Sequence, residues 1–358
     1  MKLEDIAKSR NISQNITQHE NATVKELVSW MGAIQAQDFA MAKWAIGLRL
    51  ANSTEQQIEE AYNNGDIIRT HLMRPTWHFV PAQDLNWLLA LTAPQILKIV
   101  SYRDKDLELN VSIYKKCNKI IEKTLLAHTY ATRDLIGQEL LNSKIDIENN
   151  RLSHILIRAE LEGLICSGPL VGKKLTYALL ESRVSEKKRF NRDESLAELA
   201  KRFILSHAPV TIKDFTWWSG LSVSDSKKAF DFVKDQFISE KIGSETYWLT
   251  SNSRSKISKT KSVFLLPAYD EFLIGYANRE ASISLSNNKN AISNNGIFRP
   301  TIMVNGKVIG IWKRQIVKNK IIVETNFFES PELNSKLSFE DSLRKYAAFS
   351  GMEVLLAK

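Results

Sequence analysis

The chain has 358 residues, more than a single hydrophobic core usually fills, so we expect several modules. Its apolar fraction of 44% and charged fraction of 25% are typical of a soluble globular protein. Two cysteines are too few for a disulfide framework or a four-cysteine zinc site. The N-terminal residues lack the apolar segment of a secretory signal, and no apolar run is long enough to cross a membrane. We therefore expect a cytoplasmic protein without metal or cofactor.

The formal net charge of +9 is concentrated in one segment. Residues 251–320 contain twelve Lys or Arg residues and three acidic residues, so the net charge of this segment equals the +9 of the whole chain. A basic patch of this kind raises the local concentration of polyanions and indicates a nucleic-acid partner. A solvated basic surface without such a partner is the alternative interpretation.

Three short stretches along the chain share one helix-start pattern. Residues 23–27 (TVKEL), 131–135 (ATRDL) and 211–215 (TIKDF) combine a small or hydroxyl residue, then Val, Thr or Ile, a base, an acid and a large apolar residue. In the first and third stretches, Thr stands three residues before the acid, which predicts a capping box that satisfies exposed backbone N–H groups. Longer helical and strand-like segments follow each stretch, so the pattern indicates a repeated module.

Gln35 and Gln37 stand one residue apart, shortly after the first of these helix starts. On a continuous α-helix, residues with this spacing face directions about 200° apart and cannot bind one ligand together. A joint role therefore requires the helix from Thr23 to end near Ile34, with both glutamines in an extended or irregular turn. In the alternative, the helix continues, with one glutamine exposed and the other bound to a helix carbonyl.

The third repeat has the order helix, helix, helix and ribbon, which is typical of a winged helix. Its predicted elements are a helix capped at Ser195, a helix from Thr211, a helix from Ser222 and a two-stranded ribbon over residues 237–250. The second repeat ends in a ribbon at residues 164–180, and the first ends in the strand-like residues 69–80.

In the C-terminal third, the apolar residues follow a strand-like rather than a helical pattern. Asn305-Gly306 lies between two β-branched runs, which predicts a hairpin because both residues tolerate positive φ in a type I′ turn. A second strand pair and a closing helix follow, while the polar residues 281–296 are expected to form a mobile loop.

The predicted fold class is therefore α+β, with three tandem winged-helix modules and a β-rich C-terminal domain. The predicted boundaries are 1–110, 111–190 and 191–250 for the modules and 251–358 for the last domain. The charged residues 181–194 form either a linker before the third module or an extension of a helix.

Four blocks of the sequence resemble, in order, those of the AlkZ-like DNA glycosylases. The blocks are IQAQD at 34–38, RTHLMRPTWH at 69–78, LLPAYDEFLIGYANR at 265–279 and RPTIMVNGKVIGIWKR at 299–314. The resemblance covers most of the chain. It implies tandem winged helices, a C-terminal β-domain, excision of alkylated bases and unhooking of interstrand crosslinks.

The resemblance also implies a catalytic element. One branch of the family carries Gln-x-Gln and another carries Gln-x-Asp; Gln35-Ala36-Gln37 matches the first kind. The two glutamines would hold the hydrolytic water, and because no lysine stands beside them, we expect a monofunctional glycosylase. The expected partner is double-stranded DNA carrying alkylated bases, bound by a monomer.

Further residues are assigned to support or to DNA contact. His78, Arg74 and His71 are expected beside the phosphates that flank the abasic sugar, although a histidine on a strand is equally typical of a structural residue. Asp270 and the neighbouring Glu271 are expected to orient active-site groups, or else to belong to the first turn of a helix. Trp217 and Trp218 either stack on DNA or pack in a core. The expected DNA contacts are Lys227, Lys228, Arg279, Arg299, Asn305, Lys307 and Arg314.

Two other functions are compatible with the residues. A winged-helix transcriptional regulator would bind a specific sequence and ignore base damage. A protein-binding scaffold would show no salt-dependent affinity for DNA at all.

Overall fold

The computed structural model describes residues 2–185, 187–251, 263–329 and 335–357. Its helices are α1 (Leu3–Ser13), α2 (Val24–Met31), α3 (Phe39–Gly47), α4 (Glu55–Asn64), α5 (Leu85–Val100), α6 (Val111–His128), α7 (Arg133–Asn142), α8 (Arg151–Leu161), α9 (Leu180–Arg183), α10 (Arg192–His207), α11 (Ile212–Ser219), α12 (Val223–Val233), α13 (Glu271–Ile274), α14 (Leu285–Ala291) and α15 (Ser335–Ser350). Its strands are β1 (Ile34–Gln35), β2 (Ile67–Leu72), β3 (Thr76–Pro81), β4 (Ala131–Thr132), β5 (Ile165–Ser167), β6 (Thr176–Leu179), β7 (Ile238–Ile242), β8 (Glu245–Leu249), β9 (Val263–Leu266), β10 (Thr301–Val304), β11 (Lys307–Val317), β12 (Lys320–Phe327) and β13 (Glu353–Leu356). None of the described helices is long and apolar enough to cross a bilayer.

Contacts between residues divide the chain into two units. The first comprises Met1–Glu59, Ala197–Trp218 and Ser222–Lys358, and the second comprises Glu60–Leu196 and Ser219–Leu221. Helices and strands occur in both units, which confirms the mixed α and β fold class. The number of winged-helix modules and their boundaries stay predictions.

The first unit contains a five-stranded sheet in the order β13-β12-β11-β10-β9. Its strand pairs are antiparallel except β12 and β13, which are parallel. The predicted hairpin between β10 and β11 is confirmed, with φ angles of 50° at Asn305 and 84° at Gly306. A Cβ atom at Gly306 would lie 2.9 Å from the carbonyl carbon of Ala7, so the turn packs closely against α1.

An aromatic cluster anchors α3 to this sheet. The Trp44 ring lies 4.9 Å from the Tyr346 ring and 5.0 Å from the Phe349 ring, both on the closing helix α15. The Trp44 indole also donates to the main-chain oxygen of Leu265 in β9 at 2.7 Å. These contacts hold the second half of α3, the helix that follows the two glutamines in the chain.

The second unit is built around the hairpin of β2 and β3, helices α5 to α8 and the sheet β4-β6-β5. One hydrophobic core in this unit contains Tyr114, Cys117, Ile121 and Ile155, with Trp77 packed against it. The predicted ribbons at residues 69–80 and 164–180 are therefore both confirmed as strand pairs.

The predicted capping boxes are confirmed. Thr23 Oγ1 accepts from Glu26 N at 3.2 Å while Glu26 Oε2 accepts from Thr23 N at 3.0 Å. Thr211 and Asp214 form the same reciprocal pair at 3.1 and 3.0 Å. The second stretch lacks a box, but Thr132 still caps α7 by accepting from the amide of Leu135.

Two predictions in polar segments are wrong. The helix expected to be capped at Ser195 begins at Arg192, because Asn191 and Glu194 form the reciprocal pair one turn earlier. The expected mobile loop at residues 281–296 contains α14, whose last residue, Ala291, is fully buried. Burial of that apolar end offsets the weak helix propensity of its Ser and Asn residues. Of the charged residues 181–194, 181–183 end α9 and 192–194 begin α10, and the described residues between them belong to neither helix.

Candidate active site

The segment that carries the two glutamines lies between two helices of the first unit. Helix α2 ends at Met31, and Gly32 then adopts a φ of 77°, a conformation that favours glycine. Gln35 lies in the extended pair β1, and α3 begins only at Phe39, capped by Asp38, whose Oδ1 accepts from Met41 N at 3.0 Å. The prediction that the first helix ends before Gln35 is confirmed.

The two glutamine side chains have different surroundings. Gln35 is buried, with 3% of its surface exposed, whereas Gln37 is exposed to solvent. Ala36 between them is fully buried, so a larger residue has no open space there. Gln37 is therefore the member of the pair that a ligand reaches directly, and Gln35 lies against the protein interior.

A buried carboxylate holds the main chain of this segment. Glu271 Oε1 accepts a hydrogen bond from the backbone amide of Gln35 at 2.8 Å. The other oxygen, Oε2, accepts from the indole Nε1 of Trp218 at 3.0 Å and lies 3.5 Å from Nε2 of His207. Glu271 is 1% exposed, so all three groups meet it away from water.

The residue before Glu271 forms a buried ion pair. Arg49 donates from both terminal nitrogens to the two carboxylate oxygens of Asp270, each at 2.8 Å. Asp270 Oδ1 also accepts from Phe272 N at 2.9 Å and so caps α13. The two interpretations of Asp270, helix cap and orienting residue, are therefore compatible in the structure.

Neutral polar groups connect this ion pair to the rest of the unit. Gln14 Oε1 accepts from Arg49 at 2.8 Å, and Gln14 Nε2 donates to the backbone oxygen of Glu271 at 3.2 Å. Nε2 also donates to Tyr276 Oη at 3.0 Å, and the Tyr276 hydroxyl donates to the His207 carbonyl at 2.8 Å. The first turn of α13 is thus held through both its side chains and its main chain.

Burial sets the charge states in this network. Burial lowers the pKa of His207 below its ordinary value; Glu271 opposes this, and Arg49 and Arg10 reinforce it. Burial alone would also lower the pKa of Arg49, but the Asp270 carboxylate outweighs it and raises the pKa. Burial raises the pKa of Tyr276. The site therefore combines a permanent cation, a neutral histidine and a tyrosine that stays protonated.

Comparison with known proteins identifies the family. A sequence model described as "DNA glycosylase AlkZ-like" matches residues 28–349. The chain belongs to the AlkZ-like DNA glycosylase family. It is similar to a Streptomyces sahachiroi protein named "Interstrand DNA cross-link repair glycosylase", with 21% identity over 349 residues, 93% of this chain and 92% of the relative. The solved structure of Streptomyces sahachiroi DNA glycosylase AlkZ matches all of both chains with a TM-score of 0.78 and 18% identity. The chain is accordingly a DNA N-glycosylase.

Arg74 and His78 of this glycosylase belong to the second unit. Arg74 lies in the turn between β2 and β3, and His78 is fully buried on β3 with its Nδ1 donating to the Thr76 carbonyl at 3.0 Å. On the neighbouring strand, His71 Nδ1 lies 2.5 Å from Oε2 of Glu160, which also accepts from the His71 amide. Both histidines are thus oriented by acceptors within their own unit.

The residues expected to contact DNA lie in the first unit, in unequal surroundings. Lys227 and Lys228 are exposed on α12, and Asn305 lies at the hairpin turn. Arg279 donates to the Leu273 carbonyl at 2.8 Å and lies between the rings of Trp217 and Phe298.

The other expected contacts also have internal acceptors. Arg299 donates to the Asn290 carbonyl at 3.0 Å, Lys307 to the Ala281 carbonyl at 2.7 Å, and Arg314 to the hydroxyl of Tyr346. Four basic residues of the segment at 251–320 (254, 256, 259 and 261) lie outside the described residues.

Sequence reasoning missed four members of the site: Gln14, Arg49, His207 and Tyr276. One signal was available for Arg49, since it is an isolated arginine in the apolar stretch FAMAKWAIGLRL. A charged residue inside such a stretch indicates a buried ion pair. The other three carry no local pattern, because the hydrogen bonds that join them to the rest of the site span at least 35 residues of the chain.

Proposed function

We propose that this glycosylase hydrolyses the N-glycosidic bond of alkylated purines in duplex DNA, with Gln35 and Gln37 holding the attacking water. The observation that carries the proposal is the position of the pair: two amides on a non-helical segment whose main chain is bound by Glu271. The name of the relative supports interstrand crosslinks as one class of substrate.

Neutral side chains suit this reaction. A purine alkylated at N3 or N7 already carries positive charge, so the base leaves without protonation and the sugar develops an oxocarbenium-like charge. The protein then has to place a water below C1′ and direct dipoles at the developing cation. Two amide oxygens supply both functions, and amide side chains do not change their protonation state with pH.

The proposed reaction ends at an abasic site without cleavage of the strand. A lyase step requires an amine that attacks C1′, and residues 30–39 contain no lysine. The next lysine in the chain, Lys43, forms ion pairs with Glu55 at 2.6 Å and Glu59 at 2.5 Å. This pairing supports a monofunctional glycosylase.

The remaining expected residues complete the proposal. In this proposal, Asp270 supports the catalytic segment through α13 and Arg74 contacts a phosphate of the bound duplex. His78 is fully buried and keeps the structural role on β3 that was the alternative. The basic residues of the first unit bind phosphates elsewhere along the duplex, which positions the enzyme without reading bases. We propose in addition that the Asn305-Gly306 hairpin supports a displaced base at the rim of the DNA cleft.

The test is a duplex with a single 7-alkylguanine, followed by separate assays for free base and for heat- or alkali-labile sites. We expect the parent to release the base and the Gln37→Ala variant to do so roughly 10- to 100-fold more slowly. Gln138→Ala removes an exposed glutamine of α7 and serves as the matched control, with the parental rate. Release by Gln37→Ala at the parental rate contradicts the catalytic role. Sequence-specific binding without base release would favour the transcriptional regulator instead.

A further inference from the structure

The carboxylate of Glu271 is the group that fixes the catalytic segment. It is 1% exposed, and its two oxygens have different partners. Oε1 accepts from the amide of Gln35 at 2.8 Å, and Oε2 accepts from the Trp218 indole at 3.0 Å. One carboxylate therefore connects the glutamine segment to α11, and both contacts depend on the length of its side chain.

The support of this carboxylate is itself rigid. Glu271 begins α13, directly after Asp270, which is held by two hydrogen bonds of 2.8 Å from Arg49. The backbone oxygen of Glu271 accepts from Gln14 at 3.2 Å. On the far side, a Cβ atom at Gly275 would lie 2.9 Å from a ring carbon of His207, so α13 has no room to shift toward that ring.

We propose that Glu271 is a positioning residue for base release: it fixes the main chain at Gln35 and thereby the direction of both glutamine side chains. This inference rests on the proposed function of the pair. Glu271 does not touch the substrate in this scheme. Because a displacement of about 1 Å in a catalytic group can reduce a rate about 100-fold, loss of this anchor affects the chemical step rather than DNA binding.

Two substitutions separate the length of the side chain from its charge. Glu271→Gln keeps the length and an acceptor oxygen for Gln35 but loses the charge. Glu271→Asp keeps the charge but is one methylene shorter, so it cannot reach the Gln35 amide and the Trp218 indole together. A positioning role predicts that Glu271→Gln retains more activity than Glu271→Asp. A role for the buried charge alone predicts the reverse order.

The experiment measures single-turnover base release from a 7-alkylguanine duplex at saturating enzyme, together with the Kd for the same duplex. We expect Glu271→Asp to release base roughly 10- to 100-fold more slowly than the parent, Glu271→Gln to lie between them, and the Kd to change less than about twofold. Asp84→Asn is the matched control, since Asp84 is a fully buried carboxylate that accepts from the Trp87 indole at 3.0 Å in the second unit. This control should keep the parental rate.

Two further measurements complete the test. Hydrogen exchange of the peptide spanning residues 33–38 should be faster in Glu271→Asp, because the Gln35 amide loses its acceptor. In a Gln37→Ala background, Glu271→Asp should slow base release by a smaller factor than in the parent, since both residues act on one element. A parental rate for Glu271→Asp, or a rate above that of Glu271→Gln, overturns the positioning role. A parental rate for Gln37→Ala instead refutes the proposed function.

Discussion

Replacing Arg49 with methionine tests how strongly the buried ion pair stabilises the first unit. Arg49→Met keeps a long side chain but removes four hydrogen bonds: two to Asp270, one to Gln14 and one to the Ala45 carbonyl. The side chains of Arg49 and Asp270 are 0% and 3% exposed, so water cannot replace the lost partner. Leaving a buried charge uncompensated costs about 3–5 kcal/mol. For a unit of this size, we expect Tm to fall by roughly 6–20 °C.

A second substitution separates the ion pair from the other contacts of Arg49. Asp270→Asn, added to Arg49→Met, removes the unpaired buried charge of Asp270 and keeps an oxygen that accepts from Phe272 N to cap α13. We expect the double variant to recover more than half of the lost free energy of unfolding, as measured by denaturant titration and calorimetry. Lys213→Ala is the control, because its ion pair with Glu245 is exposed and should contribute no measurable stability. A double variant no more stable than Arg49→Met would show that the unpaired Asp270 charge is not the cause of the lost stability.

Three further outcomes are expected. Gln35→Ala and Gln37→Ala should each slow base release roughly 10- to 100-fold, and the double variant should lose less than the product of the two, as measured by single-turnover kinetics. Affinity for duplex DNA should fall steeply between low and high salt. The double substitution Lys227→Ala and Lys228→Ala should reduce the affinity for damaged and undamaged duplex equally. Titrations that show a loss of affinity for damaged DNA alone would contradict phosphate contact. Because burial lowers the pKa of His207 below 6.5, the unfolded chain takes up this proton at higher pH than the folded protein. The free energy of unfolding should therefore decrease as the pH falls below about 6.5, and His207→Gln should reduce that decrease in denaturant titrations at pH 7.5 and 5.5.

Features set by a few neighbouring residues were predictable from the sequence. The Asn305-Gly306 turn follows from two residues that tolerate positive φ, and the cap of α2 follows from Thr23 and Glu26 three positions apart. The end of α2 before Gln35 followed from the requirement that two glutamines serve one ligand, and Gly32 provides the physical cause. Local chemistry determines each of these features, so a short window of sequence contains the information.

Features that depend on distant packing were not predictable. The bond from Gln35 to Glu271 joins residues 236 positions apart, and the sequence around either residue gives no sign of it. The sequence predicted that α10 is capped at Ser195, but Asn191 and Glu194 form the capping box in the structure. The local pattern allows both caps and does not decide between them. Helix α14 was missed because its stability comes from burial of Ala291, which the polar residues 281–296 do not indicate.

The discontinuity of the first unit affects how the protein is made. Gln35 belongs to a unit whose other stretches follow only after residue 196, whereas Glu60–Leu196 form one continuous stretch of the second unit. At a synthesis rate of about 5–20 residues per second, Gln35 leaves the ribosome roughly 10–50 s before the Glu271 to which its amide binds. The second unit can therefore fold while the N-terminal stretch still lacks its partners. The nascent N-terminal stretch, with apolar residues such as Leu27, Met31 and Trp44, is then the part of the chain that chaperones would bind during translation.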